Sequence, residues 1–200
     1  KIFPLITARA LYFCKQVITQ SQNLFQIPLT LPNMLILAAL AAIALGALSF
    51  FMQLWKTRRL LQRLLVKSTR VTKRIRNMLI SLGLEDKVFL IKDAALFSFC
   101  SGIFSPRIII TTALVASLTE KELEAVLLHE KSHLKNHDPL KMLLGKALSS
   151  LFFFLPIFSE LSKNIEATNE IIADAFTVSR QKEATFLRGA IRKILTTPEV

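Results

Sequence analysis

Two histidines and a glutamate in the stretch AVLLHEKSHLKNHDPL, residues 125–140, have the types and the spacing of a zinc site. His129 and His133 are four positions apart. On a helix their imidazoles therefore lie on one face, one turn apart, where both can bind the same zinc ion. Glu130 lies beside them, where its carboxylate can take a proton from a zinc-activated water. The triplet predicts hydrolysis of peptide bonds, with His129 and His133 as metal ligands and Glu130 as general base.

A catalytic zinc site needs a third protein ligand and keeps a further position open. A metzincin would place a third histidine six residues after His133, but that position is Pro139. His137 is eight residues after His129, more than two helical turns along, and is a poor ligand for the same ion. These positions exclude the metzincin pattern and leave the gluzincin solution, in which a glutamate on a later helix is the third ligand.

The stretch NEIIADAF, residues 169–176, provides that glutamate. Glu170 is expected to bind the zinc ion. Asp174, one turn later, is expected to hydrogen-bond a ligand imidazole, that of His129 in our interpretation, and so to fix its tautomer. Acidic residues on helices are commonplace, so this assignment depends on the HExxH motif that precedes it. Solvated histidines on an ordinary surface helix are the alternative interpretation.

The HExxH motif lies in a segment with a clear helix start. Thr119 followed by Glu122 has the form of a capping box. Apolar residues recur along one side of the predicted helix: Leu123, Val126, Leu127 and Leu134. Upstream, residues 87–91 and 107–112 are short and β-branched and predict two strands, with turn residues Gly102 and Pro106 between them.

An apolar stretch far upstream predicts a transmembrane helix. No charged residue lies between Lys15 and Lys56, and Met34 to Trp55 is 22 residues long and almost wholly apolar. A helix of that length crosses a bilayer core, so we assign residues 33–55 to it and residues 1–32 to an N-terminal segment with a short external loop. A buried core helix is the alternative.

The charge distribution orients this helix. Residues 1–84 contain 12 Lys or Arg and no acidic residue, and nine of the basic residues lie between Lys56 and Arg76. By the positive-inside rule this end is cytoplasmic. Residues 56–84 are predicted to form a basic juxtamembrane amphipathic helix whose residues 56–76 contact anionic lipid headgroups. Nucleic-acid binding is disfavoured, because no reading motif or aromatic platform accompanies the charge.

Residues 85–200 are expected to form the zinc metallopeptidase domain. Glu170 lies 37 residues after His133, and both must reach one ion on the same side of the membrane. Two helices of about 18 residues, each about 27 Å long, would use that length as one helix out and one back. Residues 139–175 are therefore predicted to form a membrane-proximal helical hairpin turning near Pro156, with its tip in the bilayer. In the alternative, a soluble hairpin, Phe152, Phe153 and Phe154 pack in a core.

Over about residues 85–180 the sequence resembles the membrane-embedded gluzincin peptidases, and most of all the BlaR/MecR-type β-lactam sensor-transducers. The stretches that carry the resemblance are LFSFCSGIFSPRIIITTAL, LTEKELEAVLLHEKSHLKNHDPL and NEIIADAFTV. HtpX-like quality-control peptidases share HExxH and ExxAD and are the next closest family. The resemblance implies a zinc endopeptidase that cuts cytoplasmic or membrane-proximal protein. No stretch of the 200 residues resembles the penicillin-binding sensor domain of the sensor-transducers.

The expected fold is mainly α with a small β element: a membrane-anchored, zincin-like metalloprotease domain with an HExxH helix and a helical hairpin that returns the third ligand. The expected function is membrane-bound, zinc-dependent endopeptidase activity on a protein or peptide substrate, with one zinc ion per chain and the catalytic domain on the cytoplasmic side of the cell membrane. Two alternatives are a non-hydrolytic membrane adaptor that retains the fold, and a basic surface binder that uses residues 56–76.

Overall fold

The computed structural model describes residues 30–66, 68–103 and 105–196. Within them the helices are α1 Leu31–Val66, α2 Lys73–Ser81, α3 Thr112–Ser117, α4 Glu120–Lys135, α5 Asp138–Leu151, α6 Pro156–Gln181 and α7 Thr185–Thr196. The strands are β1 Ser68–Thr69, β2 Val88–Ile91, β3 Ser98–Ser101 and β4 Arg107–Thr111. The protein is therefore mainly helical with one small mixed sheet, which confirms the expected fold class at that level.

The chain divides into two compact units, Lys1–Ala44 and Leu45–Val200. The described part of the first unit is residue 30 and the apolar beginning of α1. The second unit contains the remainder of α1 and every other described element. The predictions for residues 1–29, an N-terminal segment and most of an external loop, lie outside the described residues.

Helix α1 is 36 residues long and includes the apolar stretch that predicted a spanning helix. By length and composition it is the one helix in the described ranges able to cross a bilayer. The helix does not end at Trp55, as its predicted membrane segment does, but continues through the first basic residues to Val66. The Arg59 guanidinium lies 3.5 Å from the centre of the Trp55 ring, so the two side chains stack one turn apart.

The continuous basic helix expected over residues 56–84 is interrupted. Ser68 and Thr69 form β1, antiparallel to β2, and α2 begins only after Thr72, which has extended backbone angles. Hydroxyl-bearing and β-branched residues favour such breaks, because they compete with or crowd the helical backbone. Helix α2 ends just before Gly83. Gly83 has a φ of 64°, and its N–H and that of Leu84 donate to carbonyls at the end of α2.

The sheet has the order β1-β2-β4-β3, with β2 parallel to β4 and β3 antiparallel to β4. Strands β2 and β4 confirm the two strands predicted at 87–91 and 107–112. Strand β3 was not expected, since its residues lie in the segment interpreted as a turn. Because β4 is paired on both sides, the edge of the sheet nearest α4 belongs to β3.

Helix α4 packs against the sheet and closes the core of the second unit. The capping box is present: the Thr119 N–H donates to the Glu122 carboxylate at 2.8 Å, and the Glu122 N–H donates to the Thr119 hydroxyl. The core residues come from α2, the sheet, α3, α4 and α7: Leu79, Leu84, Val88, Leu90, Ile108, Ile110, Leu114, Leu123, Val126, Leu127 and Ala190. Burial of this apolar surface is the main force holding α4 at a fixed angle to the sheet.

Helices α5 and α6 pack side by side and are joined by a short turn. Gly145 of α5 lies against Ser162 of α6, and the Ser149 hydroxyl donates to the Phe158 carbonyl at 2.9 Å. The side chains of this turn are apolar and mostly exposed. Phe153 is 60% exposed and Phe154 51%, so these two rings do not pack in a core as the soluble alternative required.

Candidate metal centre

The two histidines of the HExxH motif lie near the end of α4, on the side that faces α6. The apolar face of α4 is fixed by the core, so the neighbouring face at His129 and His133 is directed into a cleft between the helices. The two side chains are only 18% and 12% exposed. Their rings are 4.8 Å apart and meet edge to face, and their Nε2 atoms are 3.1 Å apart.

Helix α6 brings the predicted third ligand to the same point. Asn169, Ala173 and Thr177 are buried and recur every four residues, so they fix the rotation of α6 against α4. Glu170 follows Asn169 and faces the histidines. Its carboxylate oxygens are 3.4 Å from His129 Nε2 and 3.7 Å from His133 Nε2. One possible ligand atom from each of the three residues lies within 4.8 Å of the others.

Each histidine has a carboxylate behind it, on the side away from Glu170. The Asp138 carboxylate is 2.9 Å from His133 Nδ1, is 4% exposed, and also accepts a hydrogen bond from Lys141 Nζ at 2.7 Å. The Asp174 carboxylate is 3.0 Å from His129 Nδ1, but it lies off the line of the N–H bond, so this buried nitrogen has no hydrogen-bond partner among the described residues. The Asp174 side chain is half exposed.

This donor set fits a zinc ion. A carboxylate at each Nδ1 favours the tautomer that carries its proton there, which directs the lone pairs of both Nε2 atoms at one another and at Glu170. Two lone pairs at 3.1 Å repel unless a cation lies between them. In a tetrahedral zinc site with Zn–N distances of about 2.0–2.1 Å, two imidazole nitrogens are about 3.3 Å apart. Two imidazoles and one carboxylate are also ligands that zinc prefers.

Glu130 points from α4 towards β3 rather than towards the solvent. It is 6% exposed, and its Oε1 accepts a hydrogen bond from the Ser98 hydroxyl at 2.7 Å. Burial raises the pKa of Glu130 above its ordinary value, and the Ser98 hydrogen bond and the neighbouring histidines oppose that rise. A buried carboxylate with a raised pKa beside two imidazoles and the Glu170 carboxylate has the properties of a general base.

The cluster opens into a cleft of about 420 Å³. Strand β3 forms one wall through Ser98, Phe99 and Cys100, and α5 and α6 form the others. Burial, and then the nearby carboxylates of Glu130 and Asp138, raise the pKa of the Cys100 thiol to about 12, so it is neutral at physiological pH. The cleft is large enough for a segment of peptide beside the histidines.

Two residues at this site were missed by sequence reasoning. Asp138 is the first residue of α5 and follows His137, which has a left-handed φ of 54° and turns the chain back towards His133. Ser98 reaches Glu130 only because β3 pairs with β4.

Of the other polar residues near the motifs, His137 is exposed and outside the cluster. Arg180, near the end of α6, lies over the Phe176 ring at 5.5 Å and does not line the cleft.

Comparison with known families gives a match over most of the chain. The model of the family described as BlaR1 peptidase M56 matches residues 7–187, a range that includes α1, the sheet and all the residues of the candidate centre. The similarity is therefore not confined to the HExxH motif.

Individual relatives share modest identity. The chain is 26% identical over 94 residues to the regulatory protein BlaR1 of Staphylococcus aureus, which covers 46% of this chain and 16% of that protein. It is 25% identical over 176 residues to a protease HtpX homologue of Bacteroides fragilis, which covers 67% of this chain and 55% of the relative. The methicillin resistance protein mecR1 of S. aureus is 34% identical over 55 residues. This chain thus spans about half of the HtpX homologue and a smaller part of the others.

Among solved structures, Ste24p of S. mikatae aligns with a TM-score of 0.47 at 18% sequence identity. The alignment covers 64% of this chain and 43% of Ste24p.

Proposed function

The chain belongs to the BlaR1 peptidase M56 family, and we propose that it is a membrane-bound, zinc-dependent endopeptidase of the gluzincin type that cleaves a cytoplasmic or membrane-proximal protein. The observation that carries the proposal is the convergence of His129, His133 and Glu170, with a carboxylate behind each imidazole. One relative is named a protease and another a regulatory protein, which is consistent with proteolysis that is regulated.

The proposed ligands are His129, His133 and Glu170, and Asp174 and Asp138 position the two imidazoles. A zinc ion held there would polarise the scissile carbonyl and lower the pKa of a water molecule. The Ser98 hydroxyl holds one oxygen of the Glu130 carboxylate, and the other oxygen accepts no hydrogen bond from a described residue. That oxygen is available to take the proton of the attacking water and deliver it to the leaving amine.

A substrate segment fits along β3. The side of β3 away from β4 pairs with no other described strand, and its residues line the cleft beside Glu130. An extended peptide can add to such an edge through main-chain hydrogen bonds, which hold it without demanding a particular side chain. We therefore propose that the substrate strand adds to β3, because β4 is already paired on both sides.

The membrane placement rests on α1. Its apolar part is long enough to span a bilayer, and the exposed basic side chains after Trp55 suit anionic headgroups on the cytoplasmic face. With α1 so oriented, we propose that the candidate centre lies on the cytoplasmic side.

Glu130→Gln tests the proposal, because it removes the base while keeping the size of the side chain. We expect detergent-purified wild type, loaded with zinc, to cleave unfolded β-casein. We expect Glu130→Gln to lose at least about a hundredfold of that activity while retaining its zinc. A matched control is Glu124→Gln. Glu124 is another glutamate of α4 and does not line the cleft, so this variant should cleave as wild type does.

Equal cleavage by Glu130→Gln and wild type would contradict the proposed mechanism. Zinc binding without cleavage by either protein would instead support the non-hydrolytic adaptor.

A further inference from the structure

A second cavity, of about 470 Å³, adjoins the cleft of the candidate centre. It lies between the later turns of α1, the loop after β3, and α5. Its walls are largely apolar, formed by Phe50, Leu54, Leu61, Ile103, Met142 and Leu143. We call this cavity the α1–α5 groove. Nothing in the proposed mechanism uses it.

The groove is continuous with the cleft. Pro139, Met142 and Lys146 of α5 line both. Strand β3 leads from one to the other, because Ser98, Phe99 and Cys100 line the cleft whereas Ser101 and the residues after it line the groove. A peptide added along β3 beside Glu130 therefore runs into the groove within about 10 Å, or three to four extended residues.

The shape of the groove is set by a close approach of α1 to α5. Gly46 of α1 lies against the backbone of α5, where a Cβ would overlap the Ser150 carbonyl oxygen. The groove opens over the following turns, from Phe50 to Leu61, where larger side chains line it. It is thus the space between two helices that come into close contact at Gly46.

The charges of the two spaces are opposite. Among the described residues that line the cleft, Lys146 is the only Lys or Arg, alongside Glu130, Asp138 and Glu170. The groove contains no acidic residue, and its two charged residues are Arg58 and Lys146. Neither of these forms an ion pair with any described residue. The groove therefore offers two unpaired cations at the rim of an apolar space.

We propose that the α1–α5 groove is a substrate-specificity site, which takes an apolar side chain of the protein substrate and pairs an acidic one with Lys146, within about four residues of the scissile bond. The inference rests on the proposed peptidase function and adds to it the class of sequence that is cleaved. Continuity with the cleft favours a substrate segment over a lipid, because an occupant of the groove meets the residues beside the metal cluster. Arg58, on α1, would support the same acidic group.

The test uses the full chain, purified in detergent and loaded with zinc, with a library of twelve-residue peptides of randomised sequence whose cleavage sites are read by mass spectrometry. Wild type should favour an acidic residue, with an apolar neighbour, at a fixed position within about four residues of the cut. Lys146→Glu should lose that preference, and kcat/KM for an acidic peptide should fall about tenfold or more. Replacing the acid in that peptide by lysine should restore cleavage by Lys146→Glu.

The control is Lys163→Glu, an exposed lysine of α6 outside both spaces, which makes the same charge change and should keep the wild-type preference. Leu61→Trp fills the groove from α1, away from the zinc ligands, and should raise KM at unchanged zinc content.

The inference would be overturned if Lys146→Glu cleaved the same sequences as wild type, or if wild type showed no acidic preference. Either result would leave the peptidase proposal standing. No cleavage by zinc-loaded wild type would overturn the proposed function, and this inference with it.

Discussion

At the residue scale, Asp138 and Asp174 lie behind the two imidazoles, and Asp138 is the better placed to position one. It is buried, in line with His133, and paired with Lys141. We expect Asp138→Asn to weaken zinc binding by about 10–100-fold, because the His133 ring loses the carboxylate that fixes its tautomer and raises its basicity. Competition with a chromophoric chelator measures the affinity.

Lys141→Met is the matched control for that substitution. It breaks the same ion pair with Asp138 but leaves the contact with His133 in place, so zinc affinity should stay near that of wild type. If both variants bound zinc equally well, the carboxylate of Asp138 would have no positioning role.

The spacing of HExxH and ExxAD was enough to predict which residues come together at the centre, although their role as ligands stays a prediction. Two residues four positions apart on a helix always lie on the same face, one turn apart. Asp138 and Ser98 could not be found this way. The position of Asp138 depends on the left-handed turn at His137, and that of Ser98 depends on the pairing of β3 with β4. Neither arrangement follows from residue spacing along a single helix.

At the scale of elements, α4 is held at its first turn by Glu122. The carboxylate caps the helix through the Thr119 N–H and accepts a hydrogen bond from Lys193 of α7 at 2.6 Å. The Lys193 hydrogen bond, helped by those from Thr119, lowers the pKa of Glu122 despite its burial. Because the pKa is lower in the folded state than in the unfolded state, this contribution to stability is present at neutral pH and is lost on acidification.

We therefore expect Glu122→Gln to lower the free energy of unfolding at pH 7 by about 1 kcal/mol, allowing for partial solvent exposure of Lys193. The difference from wild type should shrink as the pH falls from about 5 towards 3, where wild-type Glu122 itself becomes protonated. Thermal melting in detergent, followed by circular dichroism at several pH values, measures it.

Glu120→Gln is the control, since Glu120 lies in the same helical turn but pairs with Arg74 on the surface. Glu120→Gln should change the melting temperature less than Glu122→Gln does. A difference between Glu122→Gln and wild type that did not vary with pH would mean that the Lys193 pairing has no effect on stability.

The elements that carry a strong local signal were predictable, and the others were not. The capping box and the apolar period defined the start of α4, and the β-branched runs defined β2 and β4. Strand β3, with Ser98, Phe99, Cys100 and Ser101, has no such pattern and exists because β4 offers an edge to pair with. The break between α1 and α2 likewise depends on β1 pairing with β2, a contact that the periodicity of a basic helix cannot reveal.

At the scale of the whole molecule, the basic residues after Trp55 are the basis for our proposal that the candidate centre lies on the cytoplasmic side. In a variant with Cys14→Ser and Cys100→Ser, the exposed position Lys163→Cys should react with a membrane-impermeant maleimide in inside-out vesicles and not in right-side-out vesicles. Labelling after detergent solubilisation shows that the thiol is reactive in both preparations. Labelling from the outer face would reverse the proposed orientation.

We propose that three side chains from two helices, those of His129, His133 and Glu170, form one zinc site. Metal analysis of the detergent-purified chain, wild type beside Glu170→Ala, tests it most directly. We expect about one zinc per chain in wild type and markedly less in Glu170→Ala, because two imidazoles alone bind zinc weakly. Wild type without zinc after metal-replete purification, or zinc unchanged in Glu170→Ala, would contradict it.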